Sequence, residues 1–359
     1  MAAWPAKARA ALADRSAWAQ AMRVMAACCA AYGLSLVFRL EHGYWAVFTA
    51  LVVLQGSVGA TLGAATDRLV GTIAGALLGG LAVLTTQAEP FFTGLSLVIV
   101  VGVLGFAAAR APRLRNAALT AAIVILTRTP DIPVGVFVLQ RIFEITLGGV
   151  VGVAASRFIV PSRSRSILLE RLAAVLRTMA EMLNRQADVL ELGAEPPTTE
   201  ANVALRKALI AAEALLADAQ RERAMLLARR DVSEALPRTV WRVRNDITHI
   251  GRFLEAPFPP GVLAEFGRRA ADFLRASGAF TLGCAEGLRS GTPVPADESE
   301  AAATEFEAAF ALFAQSAEAR SMRFEESGRL FGLAFALRKT RQDLYDLADR
   351  IAEHRPAGS

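Results

Sequence analysis

Two runs decide the fold: LVGTIAGALLGGLAVLTTQA (69–88) and PFFTGLSLVIVVGVLGFAAA (90–109), each 20 uncharged residues long, parted by Glu89 alone and closed by Arg68 and Arg110. A 20-residue helix rises about 30 Å, the thickness of the hydrocarbon core of a bilayer. Two such runs back to back predict two membrane spans. Working outward, residues 19–160 carry only 14 Asp, Glu, Lys or Arg in 142 positions, whereas 28 acidic and 27 basic residues follow Ser162. The chain of 359 residues therefore reads as an all-α polytopic membrane protein, with a six-helix transmembrane domain over 1–160 and a cytoplasmic helical domain over 161–359.

The other four spans flank these two. The first, from about Ser16 to Phe38, carries Arg23 near its start, where a long side chain can snorkel to the headgroups. The second, from about Tyr44 to Val58, runs into the small-residue exit GSVGATLGAAT (56–66). Only 12 uncharged residues separate Arg115 from Arg128, and 12 separate Glu144 from Arg157. Twelve residues rise roughly 18 Å, so the last two spans, near Arg113 to Thr127 and Phe137 to Val160, require charges at their ends. The sixth then contains Arg141 and Glu144, whose three-residue spacing puts both on one helical face.

Basic residues set the orientation. Six spans place Lys7, Arg9, Arg15, Arg68, Arg110, Arg113, Arg115, Arg157, Arg163 and Arg165 on one side and Arg39, Arg128 and Arg141 on the other, so both termini are expected in the cytoplasm. MAAWPAKARAALADR does not read as a secretory signal, because the apolar stretch after it lacks a small-x-small end. Pro130 and Pro133 make RTPDIP a rigid outer turn.

Several function classes drop out. The net charge of +5 belongs to the membrane half, and the polar half holds no basic tract on which a phosphate-binding groove could be built, so no nucleic-acid partner is expected. His42, His249 and His354 are scattered, and neither CxxC nor HExxH occurs. GALLGG (75–80) lacks the GK[ST] ending of a nucleotide loop. No catalytic residue, metal or cofactor is expected. Cys28, Cys29 and Cys284 are too few to staple the chain.

The membrane half repeats itself. RLVGTIAG (68–75) lies over RIFEITLG (141–148), pairing Arg68 with Arg141, Gly75 with Gly148 and Gly79 with Gly152, while Gly71 falls on Glu144. WAVFTALVVLQ (45–55) lies over NAALTAAIVIL (116–126), pairing Ala46 with Ala117, Thr49 with Thr120 and Val53 with Val124. Three spans per copy is an odd number, so the copies enter the bilayer from opposite sides, as inverted repeats do in secondary transporters. Gly71, Gly75 and Gly79, like Gly148, Gly152 and Ser156, recur every four residues, a spacing that lets helices approach closely. Helix packing is the plainer role for these faces, and lining a substrate gap is the alternative.

Passage of an amphipathic anion needs a positive group and a flat apolar surface. Arg68 and Arg141 supply charge that can hold a carboxylate through two parallel bonds, and Tyr44, Trp45 and Phe48 form the nearest aromatic cluster. Gln55, Thr49 and Thr120 are uncharged polar groups within spans, able to meet a ligand or a neighbouring helix. Each has a structural alternative: Arg68 as a surface anchor, Arg141 with Glu144 as an ion pair, and each threonine bonded to its own preceding turn. In the polar half, amphipathic stretches near 164–192, 199–230, 233–254, 261–279, 298–325 and 327–354 predict a bundle of five to six helices. WRVRNDITHIGRF (241–253) reads as a bundle helix with a solvated charged face, or else as an interhelical ion network or a cytoplasmic substrate contact.

The stretch YWAVFTALVVLQGSVGATLGAATDRLVGTIAGALLGG (44–80) resembles the fusaric acid resistance family of aromatic acid exporters. The resemblance lies in Tyr44 and Trp45 opening the second span and in Arg68, Gly71, Thr72 and Gly75 opening the third. It implies an efflux protein of the bacterial inner membrane for aromatic carboxylic acids or related anions, driven by the proton gradient. It further implies a homodimer, since one membrane block stands where many relatives have two, and work with periplasmic adaptor and outer-membrane partners. Glu144, where the first copy has Gly71, departs from the repeat and is a candidate proton carrier. The alternative is a membrane-anchored helical interaction or regulatory protein without transport.

Overall fold

A computed structural model of the chain describes residues 15–85, 89–127, 131–195, 199–225, 233–262 and 266–353. Lys7, Arg9, Arg128, Pro130 and His354, invoked above, lie outside the described residues. Among those described the structure is helical, with no strand. The chain packs as two compact units, Met1–Ser164 with Asp218–Arg229, and Arg165–Ala217 with Arg230–Ser359. The segment Asp218–Arg229, which the sequence placed in the polar half, therefore groups with the first unit.

The first unit holds α1 (Arg15–Val37), α2 (Tyr44–Val53), α3 (Val58–Thr85), α4 (Pro90–Arg110), α5 (Ala117–Thr127) and α6 (Val134–Phe158). Four of them, α1, α3, α4 and α6, are long and apolar enough to cross a membrane. The helices α2 and α5 have 10 and 11 residues, which rise roughly 15 and 17 Å, about half of the hydrocarbon core. The chain leaves α2 at Leu54, whose backbone is extended, and the Ser57 hydroxyl then accepts from the Ala60 N–H at 3.2 Å to cap α3. The expected start of the fifth span at Arg113 is shortened for a similar reason: Pro112–Leu114 forms a 3₁₀ turn, and α5 begins only after Asn116.

Close crossings between small residues hold this unit together. A methyl group on Gly75 of α3 would lie 2.2 Å from the Ala117 carbonyl oxygen of α5, and one on Gly148 of α6 would lie 2.2 Å from that of Ala46 on α2. One turn further along, Gly79 faces Ala121 and Val124, and Gly152 faces Ala50 and Val53. Ala65 opposes Gly149 while Gly80 meets Val134 and Val138, so α3 and α6 run antiparallel. On α4 only Ser96 and Leu104 are buried, and Leu95, Val98, Ile99, Val103 and Phe106 are exposed. Such an outward apolar face is what lipid, not water, accommodates.

The second unit contains most of α7 (Ser164–Leu192) and α8 (Thr199–Ala224), followed by α9 (Ala235–Phe253), α10 (Arg268–Ser290), α11 (Asp297–Ala314) and α12 (Phe324–Glu353). Helix α9 buries Leu236, Val240, Val243, Ile247 and Ile250, apolar positions three and four apart that face the core. α10 begins later than the sequence suggests and runs on to Ser290, ending at Gly291 in the left-handed region (φ 75°). Phe266, Phe273, Phe306 and Phe310 stack within its core.

Candidate functional site

Arg141 and Glu144 lie one turn apart on α6 and form an ion pair of 3.0 Å. Both are almost wholly buried, at 1% and 2% exposure, and so face neighbouring helices, not open water. Aromatic rings account for the closure. The Arg141 guanidinium carbon stands 4.9 Å from the Trp45 ring centroid and 5.2 Å from that of Phe137. Planar guanidinium against aromatic faces keeps a cation stable without water. His42 adds its ring 6.3 Å from Phe137.

The expected aromatic cluster is present at this spot. Tyr44 lies 5.5 Å from Trp45, and Phe48 lies 5.9 Å from Trp45 and 6.0 Å from Tyr44. Tyr44 and Phe48 are exposed and Trp45 is half-buried, so the rings run from the Arg141 pair to the outside of the unit. Two buried polar atoms of the cluster, Trp45 Nε1 and Arg141 Nε, lack a hydrogen-bond partner. Such groups are costly in a dry interior unless something meets them in another state.

Of the remaining candidates, Thr49 lies one turn beyond Trp45, and the others stand elsewhere. Thr49 and Thr120 are buried with their Cβ atoms against Gly148 and Gly75, at the helix crossings. The Thr120 hydroxyl donates to the Asn116 carbonyl at 3.1 Å, as a self-bonded threonine does, while the Thr49 hydroxyl is unpartnered. Gln55 is exposed at the α2–α3 junction, its N–H held by Thr61 Oγ1 at 2.9 Å. Arg68 is buried inside the unit at 5% exposure, with Nε unpartnered.

Two cavities border α3. One, of about 560 Å³, is an apolar groove between Leu62, Ala65 and Leu69 of α3 and Gly149, Val153 and Phe158 of α6. The other, of about 380 Å³, is polar, with Asp67, Arg113 and Arg221 among its walls. Neither is lined by Arg141 or Glu144. Phe137 and His42 were absent from the residues the sequence singled out. Phe137 precedes Arg141 by four positions, one helical turn, and that spacing was a readable signal; the His42 ring contact leaves none.

In the second unit, the 241–253 tract is an ion network. Arg242 pairs with Asp343 at 3.5 Å and with Asp346, and Lys339 reaches Asp343 at 3.0 Å. Asp246 and Asp343 are buried against each other, and burial together with the shared hydrogen bond pushes Asp246 up to about 7.

No curated protein matches this chain. The model of the fusaric acid resistance protein family matches residues 17–359, and the chain belongs to that family.

Proposed function

We propose that this protein is a carrier that exports aromatic carboxylates across the bacterial inner membrane, with Arg141, Glu144 and the rings of Tyr44, Trp45, Phe48 and Phe137 as its outer half-site. Family membership supports a membrane transport or efflux role and argues against an enzyme. The buried Arg141–Glu144 pair carries the reading, because two ionised groups among apolar spans are expensive and are kept where they serve a ligand or ion. A benzoate-like anion matches it: its carboxylate replaces Glu144 on the guanidinium, and its ring replaces one aromatic face. Release of Glu144 from Arg141 then leaves a carboxylate free to take up a proton.

What supports two inverted triplets is the correspondence of contacts. Gly75 meets Ala117 and Thr120 as Gly148 meets Ala46 and Thr49; Gly79 meets Ala121 and Val124 as Gly152 meets Ala50 and Val53. Every pair follows the offsets of the sequence repeat. Because α3 and α6 are antiparallel, interpolation between their contacts sets Gly71 level with Glu144, on the axis relating the copies. Arg141 then lies to the outer side of that level and Arg68 to the inner side, as the basic end of an inner half-site. In this reading six segments traverse the bilayer, α2 and α5 being short helices extended by irregular chain, as in other carriers built on inverted repeats. Both termini and the second unit face the cytoplasm.

The closed Arg141 site is a sealed state of the cycle, in which Glu144 holds the place of the substrate carboxylate. Two copies of the chain form the working unit, with periplasmic and outer-membrane components beyond it. The test is proton coupling: in proteoliposomes a pH gradient drives uptake of benzoate or fusaric acid by the wild type, and Glu144→Gln keeps exchange but loses the response to the gradient. An unchanged response in Glu144→Gln removes the assigned role of Glu144.

A further inference from the structure

Glu222, near the end of α8, is an acidic residue that the transport site does not use, and it is buried to 1% exposure. One of its carboxylate oxygens accepts three hydrogen bonds, from the Gly59 N–H at 2.7 Å, the Ser164 N–H at 2.9 Å and the Ser164 hydroxyl at 2.7 Å. Gly59 lies in the first turn of α3 and Ser164 is the first residue of α7, so one anion caps two helix starts, where free N–H groups and the helix dipole favour negative charge. The Ser57 and Ser164 hydroxyls join at 2.9 Å, and the Val58 N–H donates to the Ser162 carbonyl at 3.1 Å. Arg23 of α1 closes the ring, donating to Ser162 Oγ at 3.1 Å.

Two further features, at Gly59 and Val160, show that this cap is enforced. A methyl on Gly59 would lie 2.1 Å from the Asp218 carbonyl oxygen, so the end of α8 sits directly on the α3 backbone. Gly63, one turn on, would place its methyl 2.6 Å from the Arg221 guanidinium, the movable end of a side chain, and so does not hold the cap. Val160, in the α6–α7 link, is held at φ 45°, a strained conformation for a β-branched residue that surrounding contacts must maintain.

We infer that Glu222 is a positioning residue of the carrier: it fixes the inner end of α3, and with it the placement of Arg68 and the affinity of the inner half-site. This rests on the transport reading above. The helix that bears Arg68 begins at the Glu222 cap, and Arg68 comes nine positions after Gly59, about two and a half turns along the same rigid element. Loosening the cap lets α3 shift as a body, whereas the Arg141 half-site, on α6 and α2, keeps its own contacts.

The test uses the full chain in lipid nanodiscs and proteoliposomes, with hydrogen exchange of the α3 and α7 starts read alongside benzoate counterflow. Glu222→Ala and Gly59→Ala are expected to speed exchange of the amides at 59–62 at least tenfold and to raise the benzoate KM about tenfold, with kcat within about twofold. Glu222→Gln, which retains an acceptor oxygen, recovers most of both. Gly63→Ala, which meets only a movable side chain, behaves as wild type. If Glu222→Ala does not fold, Gly59→Ala and Glu222→Gln still decide the matter. Unchanged amide protection overturns the cap itself. Lost protection with an unchanged KM reduces Glu222 to a structural staple and overturns the positioning role. Absence of counterflow in the wild type sinks the transport reading, while the exchange data still report on the cap.

Discussion

Substitution of Gly148 by alanine tests the packing on which the outer half-site depends. The added methyl would stand 2.2 Å from the Ala46 carbonyl oxygen and 2.8 Å from Thr49 Cβ. Carbon and oxygen in ordinary contact stand about 3.4 Å apart, so α2 and α6 must separate by roughly 1 Å, an overpacking cost of about 1–3 kcal/mol. The same movement draws Trp45 away from Arg141, whose guanidinium stands 4.9 Å from the ring. Gly75→Ala meets the same 2.2 Å obstacle at Ala117 and should cost a similar amount. Gly102 on α4 has nothing within 4 Å of the added methyl, and alanine there should be neutral or stabilise the helix by about 0.5–1 kcal/mol. The assay is the apparent melting midpoint in detergent for all three variants, with benzoate binding for Gly148→Ala. Equal midpoints for Gly148→Ala and Gly102→Ala would refute the reasoning.

Three other outcomes follow from particular groups. Arg141→Lys retains charge but lacks a flat surface for Trp45 and Phe137, so benzoate affinity should fall about tenfold or more while folding persists; unchanged affinity in a titration would contradict the stacking account. Asp246 has a folded pKa raised from 3.8 to about 7, so it stays protonated in the fold while ionised in the unfolded chain. Stability therefore falls as pH rises from near 4 to about 7 and levels off above, and Asp246→Asn should remove that slope and raise the melting midpoint most at pH 8; a parallel pH profile in the variant would refute it. Cys284 is fully buried, and burial pushes its thiol up to about 12, so in a Cys28→Ala, Cys29→Ala background a maleimide at pH 8 should label the chain only after unfolding. Rapid labelling of the folded protein would contradict its burial.

The long spans were legible because an uncharged run bounded by Arg68, Glu89 and Arg110 measures hydrocarbon thickness directly. The short helices were legible only in part: the small-residue exit GSVGATLGAAT and the 12 uncharged residues before Arg128 marked short runs, but not where helix stops, which is set by Gly56 and Ser57 between α2 and α3 and by the Pro112–Leu114 turn before α5. Small residues spaced by four announced close packing on α3 and α6, since only such residues permit backbones to touch, but not that the partners would be α5 and α2. At the site, Tyr44, Trp45, Arg141 and Glu144 were read from composition and spacing and do come together. Thr49 lies one turn from Trp45, against Gly148, while Thr120, Gln55 and Arg68 lie apart from them, because a polar residue within a span signals only that something answers it, and at Thr120 that is its own helix. Glu222 could not be found from the sequence at all. In an amphipathic helix it resembles any solvated acid, and its partners lie 163 and 58 residues away.

The central claim is that the buried Arg141 pair is the outer half-site of an anion carrier. It is tested most directly by counterflow of labelled benzoate into proteoliposomes preloaded with unlabelled benzoate. The account predicts a transient overshoot in the wild type that vanishes in Arg141→Ala. Uptake no greater than that of empty liposomes, or an overshoot of the same size in Arg141→Ala, would contradict it.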